Sequence, residues 1–327
     1  MGALIRVLWR AVAGLVMLVG IGTLAGCGPD SLSGATMGTR YRVLGEACPD
    51  GLPEVRVAAA LDEVVQDMST WVPDSSLSRF NRAPPGEWFG VSADMVRVVA
   101  AAAMVSDSTE GAFDVTVAPL VDEYGFGPGS VLADEAVHVD YRLLEFREHP
   151  PALRKGGPLR VDVSSIAKGF AVDRVVELLA GVGCTSALVE IGGELRVFGA
   201  APGGGAWRVA IESPGEGFAP GTLILDEGGI ATSGDYRQTG ERDGTRTTHI
   251  IDPRTGTPID GTLASATVIA PTAMQADALA TALMVLGKDA LAFAETHHVA
   301  ALLVFRSEGG FVTRVSPALD ALGALAR

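Results

Sequence analysis

Asp277 and Thr281 stand four residues apart in the run Thr272-Ala-Met-Gln-Ala-Asp277-Ala-Leu-Ala-Thr281. On a helix that spacing stacks them on one face. The rest of the face is Ala and Leu, so a carboxylate buried there must be paired, protonated or bound to a cation. A carboxylate with a hydroxyl suits Mg2+, which keeps waters and takes phosphate oxygens as further ligands. The same spacing also fits an Asp bonded to a backbone amide and a Thr bonded to its own turn. A second candidate is Val161-Asp162-Val163-Ser164-Ser165-Ile166-Ala167-Lys168-Gly169, read as a strand entering a helix. Open amides at a helix start favour an anion. Lys168 adds positive charge and Gly169 allows close approach, although an ordinary capped turn accounts for the same residues. In the run from Gly111 to Pro119, Phe113 offers a stacking face and Asp114 an acceptor for an aromatic ligand. A core Phe beside a turn Asp is the plainer alternative. Gly192-Gly193, in an apolar strand context, marks a bulge or a close backbone approach. His249, just ahead of the turn Asp252 to Gly256, has the chemistry of a general base, and equally that of a structural histidine.

These residues need elements to carry them. Apolar periodicity predicts helices at 54–70, 93–106 (with Ser92 as N-cap), 167–180, 272–286 and 288–297. Strands are predicted at 40–44, 160–163, 186–199, 207–212, 222–225 and 264–270, with a hairpin at 301–315 turning on Gly309-Gly310. Pro73 to Gly86 reads as a polar loop, and 125–160 as irregular surface chain. Helices and strands interleave without the regular beat of a doubly wound sheet, which indicates an α+β fold.

The front of the chain carries a different signal. Arg6 and Arg10 precede an uncharged run from Ala11 to Leu24, followed by Leu24-Ala25-Gly26-Cys27. This reads as a lipoprotein signal at 1–26, cleaved before a lipid-accepting Cys27; a plain signal peptide or short anchor helix is the alternative. Residues 27–36, rich in Gly and Ser, read as a tether, and 37–327 as the functional domain. The protein is therefore placed on the periplasmic side of a bacterial membrane by a lipid anchor. Gly28 leaves sorting open, with the inner membrane favoured over the outer. The net charge of −14 and the lack of a basic stripe argue against nucleic-acid binding. No cysteine spacing suits a metal, and the five histidines are scattered but for the adjacent His297 and His298, so a bound metal is a hard cation on oxygen ligands. Cys48 and Cys184 can pair in an oxidising compartment or stay as thiols.

Taken in order, these stretches resemble the ApbE-like FAD:protein FMN transferases. The resemblance rests on Gly34-Ala-Thr-Met-Gly-Thr39 with Tyr41; Met68-Ser-Thr-Trp71 with Asp74 to Asn81; Gly111 to Pro119; Val161 to Asp173; Ile191-Gly-Gly-Glu-Leu195; Ala231 to Tyr236; His249 to Gly256; and Ala276-Asp277 through Thr281. It implies two intimate lobes around a flavin-nucleotide cleft. It also implies Mg2+-dependent transfer of FMN from FAD to a Thr or Ser hydroxyl of a target protein, forming a phosphoester and releasing AMP. Membrane redox subunits are the implied targets. A Mg2+-dependent FAD pyrophosphatase and a non-catalytic flavin-binding lipoprotein are the alternatives. By position, the resemblance puts Met37, Trp71, Ala112, Phe113, Asp114, Asp162, Lys168 and Ile251 against FAD. It gives Mg2+ the Ser165 carbonyl and the side chains of Asp277 and Thr281, and sets His249 beside the reacting phosphates. Phe170 stands where the family often has tyrosine, so a hydroxyl contact is missing there.

Overall fold

A computed structural model describes residues 30–46, 48–129, 138–237, 239–242 and 245–326; the signal segment 1–26 and Cys27 lie outside them. The centre is one eight-stranded sheet built from Asp30–Thr36, Thr39–Glu46, Ser186–Ile191, Glu194–Phe198, Gly228–Gly234, Leu263–Ala270, Ala300–Ser307 and Gly310–Val315. Strand order across the sheet equals order along the chain, and every neighbouring pair is antiparallel. Tight turns make this possible. Met37-Gly38 and Gly192-Gly193 are two-residue links with φ of +48°, +71°, +62° and +105° in turn. Positive φ at both central positions gives a turn whose twist matches the strands it joins.

Among the described residues, eight helices accompany the sheet: α1 (Glu54–Met68), α2 (Ser76–Arg82), α3 (Ala93–Ser108), α4 (Ala118–Glu123), α5 (Ser164–Gly181), α6 (Ala273–Leu286), α7 (Ala290–Thr296) and α8 (Pro317–Leu322). Side chains alternate along each strand, and here both faces are apolar. Ala187, Val189, Ile191, Ala231, Ala266, Val268 and Leu303 share a core with α1, α3, α5 and α6. Leu195, Val197, Ile230, Leu302 and Val304 face the other way, against Trp207, Leu223 and Leu319. The second core is roofed by a three-stranded sheet of Trp207–Ala210, Thr222–Leu225 and Leu325–Ala326.

Helices α5 and α6 cross in direct contact. A Cβ on Gly169 would lie 2.3 Å from the Ala273 carbonyl oxygen, so only glycine fits there. Asp173, fully buried on α5, accepts from the first amides of α6, Ala273 N at 3.0 Å and Met274 N at 2.9 Å. Arg196 pairs with the same carboxylate at 2.9 Å. One acid thus satisfies two of the amides that a helix start leaves open.

Several sequence expectations need correction. Asp30–Thr36, read as part of the 27–36 tether, is the edge strand. It is paired along its whole length with the next strand, Thr39–Glu46, in the register Asp30 to Gly45 and Thr36 to Thr39. The loop at 73–86 contains α2, capped by Ser75 Oγ, which accepts from Ser78 N. The irregular stretch 125–160 contains strands Leu144–Glu148 and Pro151–Lys155, which form a small sheet with Trp88–Gly90. Arg160 to Val163 forms no full strand: among the described residues it makes a single bridge, Arg160 to Val117, with Asp162 N donating to Val115 O, and Asn81 bonds both the amide and the carbonyl of Val161 at 2.8 Å. The buried strand Gly228–Gly234 carries no alternation to betray it. Cys48 and Cys184 form a disulfide. It continues the register of Glu46 with Ser186, two residues beyond the last paired position. Among the described residues, no helix is long and apolar enough to cross a membrane.

Candidate active site

The crossing of α5 and α6 brings together residues that are more than a hundred positions apart. Asp277 is 2% exposed, and its Oδ2 accepts from Gly169 N at 3.0 Å. The Lys168 ammonium lies 4.0 Å from Asp277 Oδ1 and 2.6 Å from Glu194 Oε1. Thr281, one turn after Asp277, has its hydroxyl 3.2 Å from Ser233 Oγ on the adjoining strand. Ser165 sits in the first turn of α5, one turn before Lys168 and Gly169. The Asp277–Thr281 spacing therefore does present a buried carboxylate and a half-buried hydroxyl on one helix face.

The charges at this junction act directly on one another. Burial pushes the Asp277 carboxyl up to about 7; Lys168 opposes this and Glu194 adds to it. Burial pulls the Lys168 ammonium down, but Asp277 and Glu194 outweigh it and hold it above the ordinary lysine value. Two carboxylates share one ammonium. The donors are all oxygen, which suits a hard divalent cation. Among the described residues no three His, Cys, Asp or Glu side chains group to hold a metal. A cation here needs the Thr281 hydroxyl, backbone carbonyls, water or phosphate as further ligands.

Glu194 is the residue that motif reading passed over. Its signal was present: Glu194 and Arg196 alternate with Leu195 and Val197 on a strand buried on both faces. Two charges on the inner face of such a strand demand counter-charges. Helix α5 supplies them, Lys168 for Glu194 and Asp173 for Arg196.

The other carboxylates are committed to the backbone. Asp162 Oδ1 accepts from Ser164 N at 2.8 Å, so the first amide of α5 is already occupied. Asp114 accepts from Thr116 N, the Thr116 hydroxyl and Tyr141 N, at 2.7, 2.7 and 2.9 Å. Burial raises both carboxyls, and these bonds oppose it. The two loops touch where Asp162 N donates to Val115 O at 2.7 Å. Phe113 and Ala112 are buried in the helical core. These residues shape the floor beside the start of α5, and Phe113 presents no exposed face.

His249 and Ile251 lie on the chain leading into the Asp252 to Gly256 turn. Tyr124 Oη donates to Gly256 O at 3.3 Å, which docks the turn beside α4. The His249 ring stands edge-on to Phe126 with centroids 6.3 Å apart, and Ile251 is buried. Met37 occupies the first hairpin turn with φ +48°, and Gly192 N bonds Arg40 O next to it. A non-glycine residue held at positive φ is strained backbone of the kind that collects at functional sites. The turn therefore stands at the same end of the sheet as Glu194. Trp71 is different: it is 66% exposed on the loop between α1 and α2 and belongs to neither core.

Similarity to known proteins agrees with this geometry. The FAD:protein FMN transferase of Haemophilus influenzae is 41% identical over 96% of this chain and 98% of its own. That of Escherichia coli is 36% identical over 88% of this chain and 87% of its own. The flavin transferase ApbE of Vibrio cholerae superposes with a TM-score of 0.79 at 38% identity, over 89% of this chain and 98% of that one. The flavinyl transferase ApbE of Pseudomonas stutzeri, in its apo form, gives 0.81 at 38% identity, over 92% and 98%. Residues 37–303 match the ApbE family, a span that starts at the strained Met37 turn and includes Lys168, Glu194, His249, Asp277 and Thr281; the chain belongs to that family.

Proposed function

We propose that the protein is an FAD:protein FMN transferase, moving FMN from FAD to a Thr or Ser hydroxyl of an acceptor protein, with a phosphoester formed and AMP released. The observation that carries this reading is the buried Lys168–Glu194–Asp277 junction of α5 and α6, within a fold shared with flavin transferases. Attack on a diphosphate builds negative charge on its oxygens, and catalysis depends on placing positive charge there beforehand. Lys168 is the resident cation. The Asp277 carboxylate, the Thr281 hydroxyl and the Ser165 carbonyl form the oxygen set that would hold Mg2+, which when bound neutralises phosphoryl charge. Gly169 N fixes the Asp277 carboxylate against α5, so the two halves of the site keep their spacing. Met37, Ile251 and the floor formed by Ala112, Phe113, Asp114 and Asp162 are assigned to the FAD side, with Trp71 as an exposed contact on the rim. His249 is assigned to take the proton of the incoming hydroxyl.

The acceptors we propose are redox subunits in the membrane, reached from a Cys27 lipid anchor on the periplasmic side, with the inner membrane favoured over the outer. The Cys48–Cys184 disulfide supports this placement, because such bonds persist in oxidising compartments. The test is direct. Purified protein is incubated with FAD, Mg2+ and a candidate acceptor, and the acceptor is then denatured and examined for flavin fluorescence. Fluorescence that stays on the acceptor and is lost with Asp277→Ala supports transfer. Free FMN and AMP without labelled acceptor would replace it with FAD hydrolysis.

A further inference from the structure

We infer that Glu194 is a further oxygen ligand of the cation expected at Asp277, binding it directly or through one water. This rests on the reading of Asp277 as a cation site. Glu194 comes from the strand opposite α6, so the cation would be held from two sides and not from the helix alone.

The two oxygens of Glu194 have different fates. Oε1 pairs with Lys168 at 2.6 Å. Oε2 is buried and has no hydrogen-bond partner among the described residues, although the residue is only 2% exposed. Leaving a carboxylate oxygen dry and unpaired is costly, and such a group calls for an ion or water. A mere counter-ion role for Lys168 accounts for Oε1 and leaves Oε2 unexplained.

The charge balance points the same way. Asp277 and Glu194 bring two negative charges to one ammonium. The Arg237 guanidinium, a further cation close by, is engaged by Glu212 and by Gly192 O. A diphosphate arriving here adds more negative charge, which Lys168 alone does not offset. A divalent ion between the two carboxylates corrects this. The strand also fixes Glu194 well: Gly193 N donates to Glu190 Oε1 at 2.7 Å, and Arg237 holds the Gly192 carbonyl, which pins the turn just ahead of it.

The test uses Mn2+ alone as probe, titrated into the full-length protein without FAD, with unbound Mn2+ read by electron paramagnetic resonance. The unsubstituted protein takes up one Mn2+, Asp277→Asn abolishes uptake, and Glu194→Gln weakens it roughly 10–100-fold, the range seen when groups around a metal are removed. Glu212→Gln removes the negative charge paired with Arg237 and leaves the affinity unchanged. Glu194→Asp, which keeps the charge but shortens its reach, gives an intermediate affinity and serves if the Gln variant does not fold. Glu194→Gln binding as tightly as the unsubstituted protein, while Asp277→Asn does not bind, overturns the inference alone. An equal loss in Glu212→Gln also overturns it, since the effect is then one of general charge. No uptake by the unsubstituted protein, or uptake indifferent to Asp277→Asn, overturns the Asp277 reading and the inference with it.

Discussion

Asp277 carries the sharpest consequences for a single side chain. Its carboxyl is held at about 7 in the folded protein, against about 3.9 in an unfolded chain. Between those values the folded state keeps the proton and the unfolded state has lost it. Stability of the metal-free protein therefore falls as pH rises from about 4 to about 7. In EDTA, the melting temperature should drop by roughly a few degrees between pH 5 and pH 8, and Asp277→Asn should flatten that slope. Identical melting-temperature curves for the two proteins would reject the assignment. With FAD and Mg2+ present, the same substitution should lower the rate of acceptor labelling by on the order of 10²–10³, matching the several kcal/mol that a catalytic cation contributes. At this scale the sequence was partly legible. Asp277, Thr281 and Lys168 were visible because helical spacing puts them on one face and at one helix start. Glu194 was legible only as a charge on an apolar strand that needs a counter-charge, because a strand residue shows its partner only once the sheet is assembled. Nor did the motifs show that Asp114 and Asp162 spend their oxygens on backbone amides, since that depends on loops folding onto each other.

The element on which the site depends is the α5–α6 crossing. Gly169→Ala would force a methyl to within 2.3 Å of the Ala273 carbonyl, and the helices would have to separate. Overpacking of this kind costs about 1–3 kcal/mol. It should also move Asp277 away from Lys168, so the KM for FAD should rise along with the fall in melting temperature. Asp173→Asn acts from the other end of the contact, weakening the grip on the α6 amides and leaving Arg196 without its counter-charge. Breaking a buried pair by removing one partner costs roughly 3–5 kcal/mol, and differential scanning calorimetry would read it. A variant as stable as the parent would show that α6 does not need this anchor. Helices were the easier elements to find, since Ser92 marks the start of one and their apolar periods are long. Two strands of the central sheet escaped for physical reasons. Gly228–Gly234 is buried at all but Ser233 and lacks a period-two pattern. Asp30–Thr36 is an edge strand with mostly exposed residues and a tether-like composition.

At the scale of the whole molecule, the disulfide and the site lie at opposite ends of the central sheet. Cys48 follows the second strand and Cys184 precedes the third, whereas Met37 and Gly192 turn at the other end. The bond closes a loop with a sequence separation of 136. Replacing both cysteines with serine should lower stability by about 2–5 kcal/mol and leave the labelling rate at 25 °C unchanged. A large loss of rate in a protein that stays folded would tie the disulfide to the chemistry. The α+β class could be read from the sequence, yet the order of the sheet could not. Its simple succession of neighbours is hidden by the long helical insertion between the second and third strands, which no local pattern measures.

The edge strand has a further consequence for where this enzyme can work. Only three steps of chain separate Cys27 from Asp30, which reach at most about 11 Å. The strand then rises about 20 Å to the Met37 turn. Were Cys27 to carry the lipid, as proposed, the leash would be short and the reaction centre would be confined to a layer within roughly 30 Å of the membrane surface. Acceptor hydroxyls would then have to be presented inside that layer, and targets would be selected by altitude. Lengthening the segment between Cys27 and Asp30 with a flexible Gly-Ser insert should extend labelling to acceptor domains that stand farther out on stalks.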